Sequence, residues 1–129
     1  MSGGRVTIPQ DLRERAFRAT NGELAWAEGD ALGVVNFAEQ NGVAVLGGEV
    51  WFIGTDGAVI SSVRSRDGVF HVYAWSTSEV ENEGQAGFVG RCAQDSRDAI
   101  TAFRKNKAGP AYETAGPPLF NLTFDSDVE

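Results

Sequence analysis

Apolar positions run along this chain in two rhythms, one of strands and one of helices. The longest apolar stretch is Val43-Ala44-Val45-Leu46-Gly47-Gly48-Glu49-Val50-Trp51-Phe52-Ile53. It lacks helical spacing, is too short to span a membrane, and is rich in Val, Ile, Phe and Trp, which predicts a central strand. Glycine in a strand interior forfeits packing, so Gly47 and Gly48 predict a bulge or the close approach of another element. Glu49 reads first as a solvent-facing or edge carboxylate on this otherwise apolar strand.

Upstream, Ala31, Leu32, Val34, Val35 and Ala38 recur at three-and-four spacing between Asp30, a candidate cap, and Asn41-Gly42, a stop signal. They predict a helix over about 30–41 that delivers the strand. Pro9, Leu12, Ala16 and Ala19 predict a shorter helix over 9–20, ended by Asn21-Gly22. Downstream, Gly54-Thr55-Asp56-Gly57 and Arg66-Asp67-Gly68 have turn chemistry, so strands at 58–64 and 69–76 complete an antiparallel three-strand meander. In the third strand Phe70, Val72 and Ala74 alternate with His71, Tyr73 and Trp75, and both faces carry apolar bulk.

A polar, acidic loop over 76–84 follows. Then Phe88, Val89, Cys92, Ala93, Ser96, Ala99, Ile100 and Phe103 line one stripe of the longest helix, about 83–105, ended by Gly109-Pro110. That stripe is expected to bury Phe88, Cys92, Ile100 and Phe103 against the sheet. After Pro117-Pro118, the residues Leu119, Phe120, Leu122 and Phe124 offer a C-terminal edge strand. The fold class is therefore α+β, an antiparallel sheet with two or three helices packed on it. One domain over 1–129 is expected, with 1–8 and 125–129 as frayed ends.

Composition narrows the function classes. A net charge of −7 and a pI near 4.6 argue against nonspecific phosphate binding, so no nucleic-acid partner is expected and a basic protein partner is favoured. The single cysteine excludes an intrachain disulfide, and a small buried thiol fits a reducing cytoplasm. No targeting segment or membrane span is visible.

Catalytic chemistry finds little footing. His71 is the one histidine and has no second histidine or cysteine pair beside it, so no metal or haem ligand set and no cofactor is expected. A Cys92-His71 nucleophilic pair would need an exposed thiol at a helix entrance, whereas Cys92 belongs to an apolar stripe. Gly47-Gly48 is followed by more strand, which excludes a phosphate-binding loop. Glu23, Glu49, Glu81 and Glu83 could be paired on paper, but no spacing singles them out. What remains is a binding surface of aromatics and carboxylates, with at least two of Trp26, Trp51 and Trp75 expected in the core.

Taken together, Trp26, Asp30-Ala31-Leu32, Asn41-Gly42 and Leu46-Gly47-Gly48-Glu49-Val50-Trp51 resemble the immunity protein 40 family of bacterial polymorphic toxin systems. Tyr73-Ala74-Trp75, Asn82-Glu83, Phe88 and the helical Arg91, Ser96 and Ile100 continue the resemblance, which covers roughly residues 22 to 104. Glu49, Trp51 and Cys92 stand where the family pattern usually has Asp, Tyr and Ser, and they preserve charge, aromaticity and size. The resemblance implies a non-enzymatic immunity protein that neutralises a cognate toxin domain by stoichiometric binding. Many such toxins are nucleases, hence basic, which suits an acidic partner. The partner-binding residues expected are Glu49, Tyr73, Trp75, Glu79, Glu81 and Glu83. A small enzyme using scattered carboxylates and a general scaffold or homodimerisation module are the alternatives, and the oligomeric state is left open.

Overall fold

Pro9 has no N–H to lose and starts the first helix, α1 (Gln10–Arg15), as its N-terminal cap residue. A computed structural model of the chain describes residues 6–54, 56–60, 63–64, 70–71, 73–106, 117–126 and 128. The helix stops well short of the expected residue 20. Ala16 turns extended, and Phe17–Arg18 (β1) pairs with Leu24–Trp26 (β2) around a turn in which Gly22 has φ of +90°. The Asn21-Gly22 signal is therefore a hairpin turn and not a helix stop, because Phe17 and Ala25 pair across it.

Helix α2 (Glu28–Gln40) buries Ala31, Val34, Val35 and Ala38. Its start lies two residues before the expected cap. Asp30 instead sits in the first turn with Glu28, where a carboxylate complements the helix dipole, and is held by Arg15 at 3.0 Å. The Asn41-Gly42 stop is as expected: the Asn41 side chain donates to the Phe37 carbonyl at 2.8 Å, and Gly42 takes φ of +71°.

The apolar run forms β3 (Val45–Ile53), the hub of a six-stranded antiparallel sheet. Along one side it pairs with β8 (Pro118–Phe124) over nearly its whole length, and β8 in turn pairs with β2. The C-terminal strand is thus internal and not an edge. Pro118 is compatible with this because it is the strand's first residue, where a missing N–H costs least. The other side of β3 is shared: β4 (Val59–Ile60) takes its C-terminal end and β7 (Ala74–Ser76) its N-terminal half. Between them β5 (Val63–Arg64) and β6 (Phe70–His71) form a separate two-stranded sheet. The expected meander is therefore interrupted, and its third strand returns directly to β3.

Pairing shifts by one residue between Val45 and Gly47, a bulge that lets Leu46 slip out of the alternation. Val45 can then face the helices together with Val50 and Phe52 despite opposite parity, and all three join one core with Trp26, Ile100 and Phe120. Helix α3 (Gln85–Asn106) adds Ile100 to this core and buries Phe88 and Cys92 in a second cluster with Ala44 and Val89. Phe103 differs from expectation. It is half-buried, with its ring 5.3 Å from Tyr73 and 6.1 Å from Phe52 and Phe120, because it lies near the end of the helix where the sheet no longer covers it fully. Trp26 and Trp51 are buried, whereas Trp75 is half-buried. At the ends, Ile8 is enclosed and Val6 pairs in parallel with Val128.

Candidate interaction surface

The acidic loop between β7 and α3 is anchored at both ends. At its start Thr77 is buried; its amide donates to the Leu46 carbonyl at 2.9 Å and its hydroxyl to Asp95 at 2.8 Å. At its end Glu83 accepts two bonds from Arg91, from Nε at 2.6 Å and Nη2 at 2.7 Å, and Arg91 also donates to the Ser78 carbonyl at 2.6 Å. Such a forked pair fixes direction as well as distance. Asn82 with φ of 66° and Gly84 with φ of 76° bend the chain tightly between the loop and the helix.

This framework presents Glu79, Val80 and Glu81 to solvent, beside a groove of 510 Å³ that also reaches Phe88. Val80 is 57% exposed between these two carboxylates. The Arg91 guanidinium holds the Glu83 carboxyl below the usual carboxylate range. A depressed carboxylate contributes order that is complete above its ordinary value and is lost as pH falls through the lower folded value. The loop should therefore be fully formed at neutral pH and release only below about pH 4. Amide exchange of Val80 to Gly84 against pH should show this, and Arg91→Ala should bring the same exchange to neutral pH.

The residues expected to bind a partner do not form one surface. Glu79 and Glu81 are exposed together, but Glu83 is taken up by Arg91. Trp75 lies across Gly48 on the helix side of the sheet and donates from Nε1 to Ser96 at 3.0 Å. Tyr73 shares that side, and with Trp75 and Phe103 it lines a separate hollow of 360 Å³. Glu49 projects from the opposite side, where it accepts a 2.7 Å bond from Trp51 Nε1. Alternation along β3 enforces this division, since neighbours Gly48 and Glu49 must face opposite ways.

The carboxylates considered for catalysis are dispersed as well: Glu23 follows the β1–β2 turn, Glu49 is on the sheet, and Glu81 and Glu83 are in the loop. Cys92 is sealed between Ala44, Phe88 and Val89, and burial pushes its thiol up. His71 is described only in its backbone, in β6. Among the described residues no group of His, Cys, Asp and Glu is arranged to hold a metal ion, and no helix is long and apolar enough to cross a membrane.

Sequence reasoning missed the Arg91–Glu83 clamp, although the eight-residue separation crosses a turn into a helix and both residues were visible. It also missed Val80, which in sequence is only one apolar residue among acids. The model of a known family, described as Immunity protein 40, matches residues 12–114. No curated protein and no solved structure matches the chain. The matched span takes in most of α1, the hairpin, α2, β3 to β7 and all of α3, so this chain belongs to the immunity protein 40 family.

Proposed function

We propose that this protein neutralises a cognate toxin domain by stoichiometric binding, without turnover of its own, and that the loop carrying Glu79, Val80 and Glu81 meets a basic partner. The supporting observation is a pair of exposed carboxylates flanking an exposed valine on a loop braced by Arg91 and Thr77. Bracing lowers the ordering cost on association, the carboxylates steer a cationic surface, and Val80 offers apolar area to desolvate. Membership in the immunity protein 40 family supplies the biological setting. A nuclease domain, basic because it must hold nucleic acid, fits the net charge of −7.

Co-expression with a toxin domain encoded beside this chain tests the role: the protein should restore growth in proportion to complex formed. Glu79→Lys with Glu81→Lys should slow association by about tenfold at low salt, and by less as salt rises, with little change in thermal midpoint. Glu83 is left out of that reversal because losing its bond to Arg91 would disturb the loop itself. Stopped-flow association measured at several ionic strengths reads the effect. An unchanged on-rate with protection intact would move the interface elsewhere.

A further inference from the structure

The acidic loop is not the only charged feature at its end of the sheet. Gln85, at the loop's exit, donates to Asp125 at 3.2 Å, and the preceding residue, Phe124, lines a groove of 640 Å³ between α1, the β1–β2 hairpin and β8. Leu24, Trp26, Leu122 and Phe124 contribute apolar wall, and Arg13 and Arg18 contribute cations.

These two arginines differ from their described counterparts. Arg15 pairs with Asp30, Arg91 with Glu83 and Arg97 with Glu39, while neither Arg13 nor Arg18 has an ion pair among the described residues. Arg18 makes a long 3.5 Å bond to the Gly22 carbonyl. The Nε of Arg13 is buried with no acceptor among the described residues. A buried N–H without a partner costs free energy, and in a native protein it calls for an explanation such as an ion or ligand group. The Arg13 guanidinium can therefore turn its Nε–H toward an acceptor in the groove without losing a bond there.

We propose that this groove receives the carboxylate side chain of an acidic residue on the protein partner, with Arg13 and Arg18 as the binding residues. This rests on the reading that the chain acts by binding a protein. A forked guanidinium matches a carboxylate, and the apolar wall suits the methylene stem behind it. Glu23 on the lining and the acidic chain as a whole disfavour a doubly charged phosphate relative to a single carboxylate. The partner then presents basic residues to the Glu79–Glu81 loop and one acid to the groove, an arrangement of opposite signs that fixes orientation.

Two measurements test this. In the first, the Arg13 Nε–H resonance is followed while sodium butyrate, and separately inorganic phosphate, is added at constant ionic strength. Butyrate should give a saturable shift, weaker with phosphate and reduced in Arg18→Gln, which keeps the Arg13 resonance but removes the second cation. No saturable shift with butyrate, or saturation at lower concentration with phosphate, overturns the proposal. In the second, Arg13→Gln/Arg18→Gln should weaken binding of the neighbouring toxin domain by at least tenfold, mostly through faster dissociation, with an unchanged melting curve. Arg13→Lys, which keeps the charge but not the fork, should fall between. Wild-type affinity in the double variant overturns the proposal while leaving the binding role intact. A wild-type protein that fails to bind the toxin domain overturns the binding role, and the butyrate titration then judges the groove alone. Should the double variant not fold, Arg13→Lys and the titration decide.

Discussion

Trp26→Ala should cost about 3–5 kcal/mol, the range for deleting a large buried aromatic, out of roughly 5–15 kcal/mol for a domain of this kind. The indole is 2% exposed and lies in the core with Val35, Val50 and Phe120. It also performs a second task. Helix α1 is six residues long, so its later carbonyls have no intrahelical donor, and Trp26 Nε1 supplies one to the Leu12 carbonyl at 2.8 Å. One residue thus fills the core and fastens α1 to the sheet. Trp26→Phe separates the tasks: it keeps most of the volume, loses the bond, and should cost about 1–3 kcal/mol. Urea midpoints measure both, and tryptic cleavage after Arg13 or Arg15 should accelerate in each variant. Equal destabilisation by Phe and Ala would mean that the bond matters more than the packing.

Substitution of the paired glycines should come next in size. A Cβ on Gly48 would lie 2.5 Å from the Asn121 carbonyl oxygen and 2.6 Å from Trp75 Cη2, and one on Gly47 would run into the Trp75 carbonyl oxygen. Two of these obstacles are backbone, which cannot rotate away. Relief requires β7 or β8 to separate from β3, where Gly47 pairs with Ser76 and Thr123 and Gly48 with Trp75 and Leu122. Gly47→Ala and Gly48→Ala should each cost about 2–3 kcal/mol, at the upper end for overpacking. Gly29→Ala in α2, with no atom within 4 Å of the new Cβ, is the control and should stabilise by about 0.5–1 kcal/mol. Denaturant midpoints decide, and a wild-type midpoint for Gly47→Ala would show that β7 is not seated where the register puts it.

The glycines also explain the aromatic across from them. Trp75 folds its ring over Gly48, covering backbone that has no side chain of its own, and reaches Ser96 on α3. Trp75, Gly48 and Ser96 all belong to the pattern that carries the family resemblance, and here they form one contact between sheet and helix. Glu49 and Trp51 bond to each other on the opposite side. That bond couples the two side chains: Glu49→Asp alone would draw the carboxylate back from the indole, and Trp51→Tyr alone would replace the ring N–H donor with a hydroxyl at a different reach.

Periodicity is a local property, and where local forces decide, the sequence alone determined the outcome. The 3.6-residue spacing of Val34, Val35 and Ala38 and of Phe88, Cys92 and Ile100 defined α2 and α3 and the faces they bury, because each helix satisfies its own backbone. The composition of the β3 run marked the central strand, and Gly47-Gly48 announced a close approach without naming what approaches. The α+β class and the family followed from the same residues. Strand order did not follow, since a strand's hydrogen-bond partners lie outside its own segment. That β8 inserts between β2 and β3, that β7 passes β4 to reach β3, and that Phe17 leaves the helix for a hairpin are choices among distant pairings of similar local quality. The interaction surface was legible only in part for the same reason. Glu79 and Glu81 are exposed as an acidic loop should be, but Arg91 withdraws Glu83, sheet alternation sends Glu49 away from Trp75, and Arg13 and Arg18 meet only when α1, the hairpin and β8 close one groove.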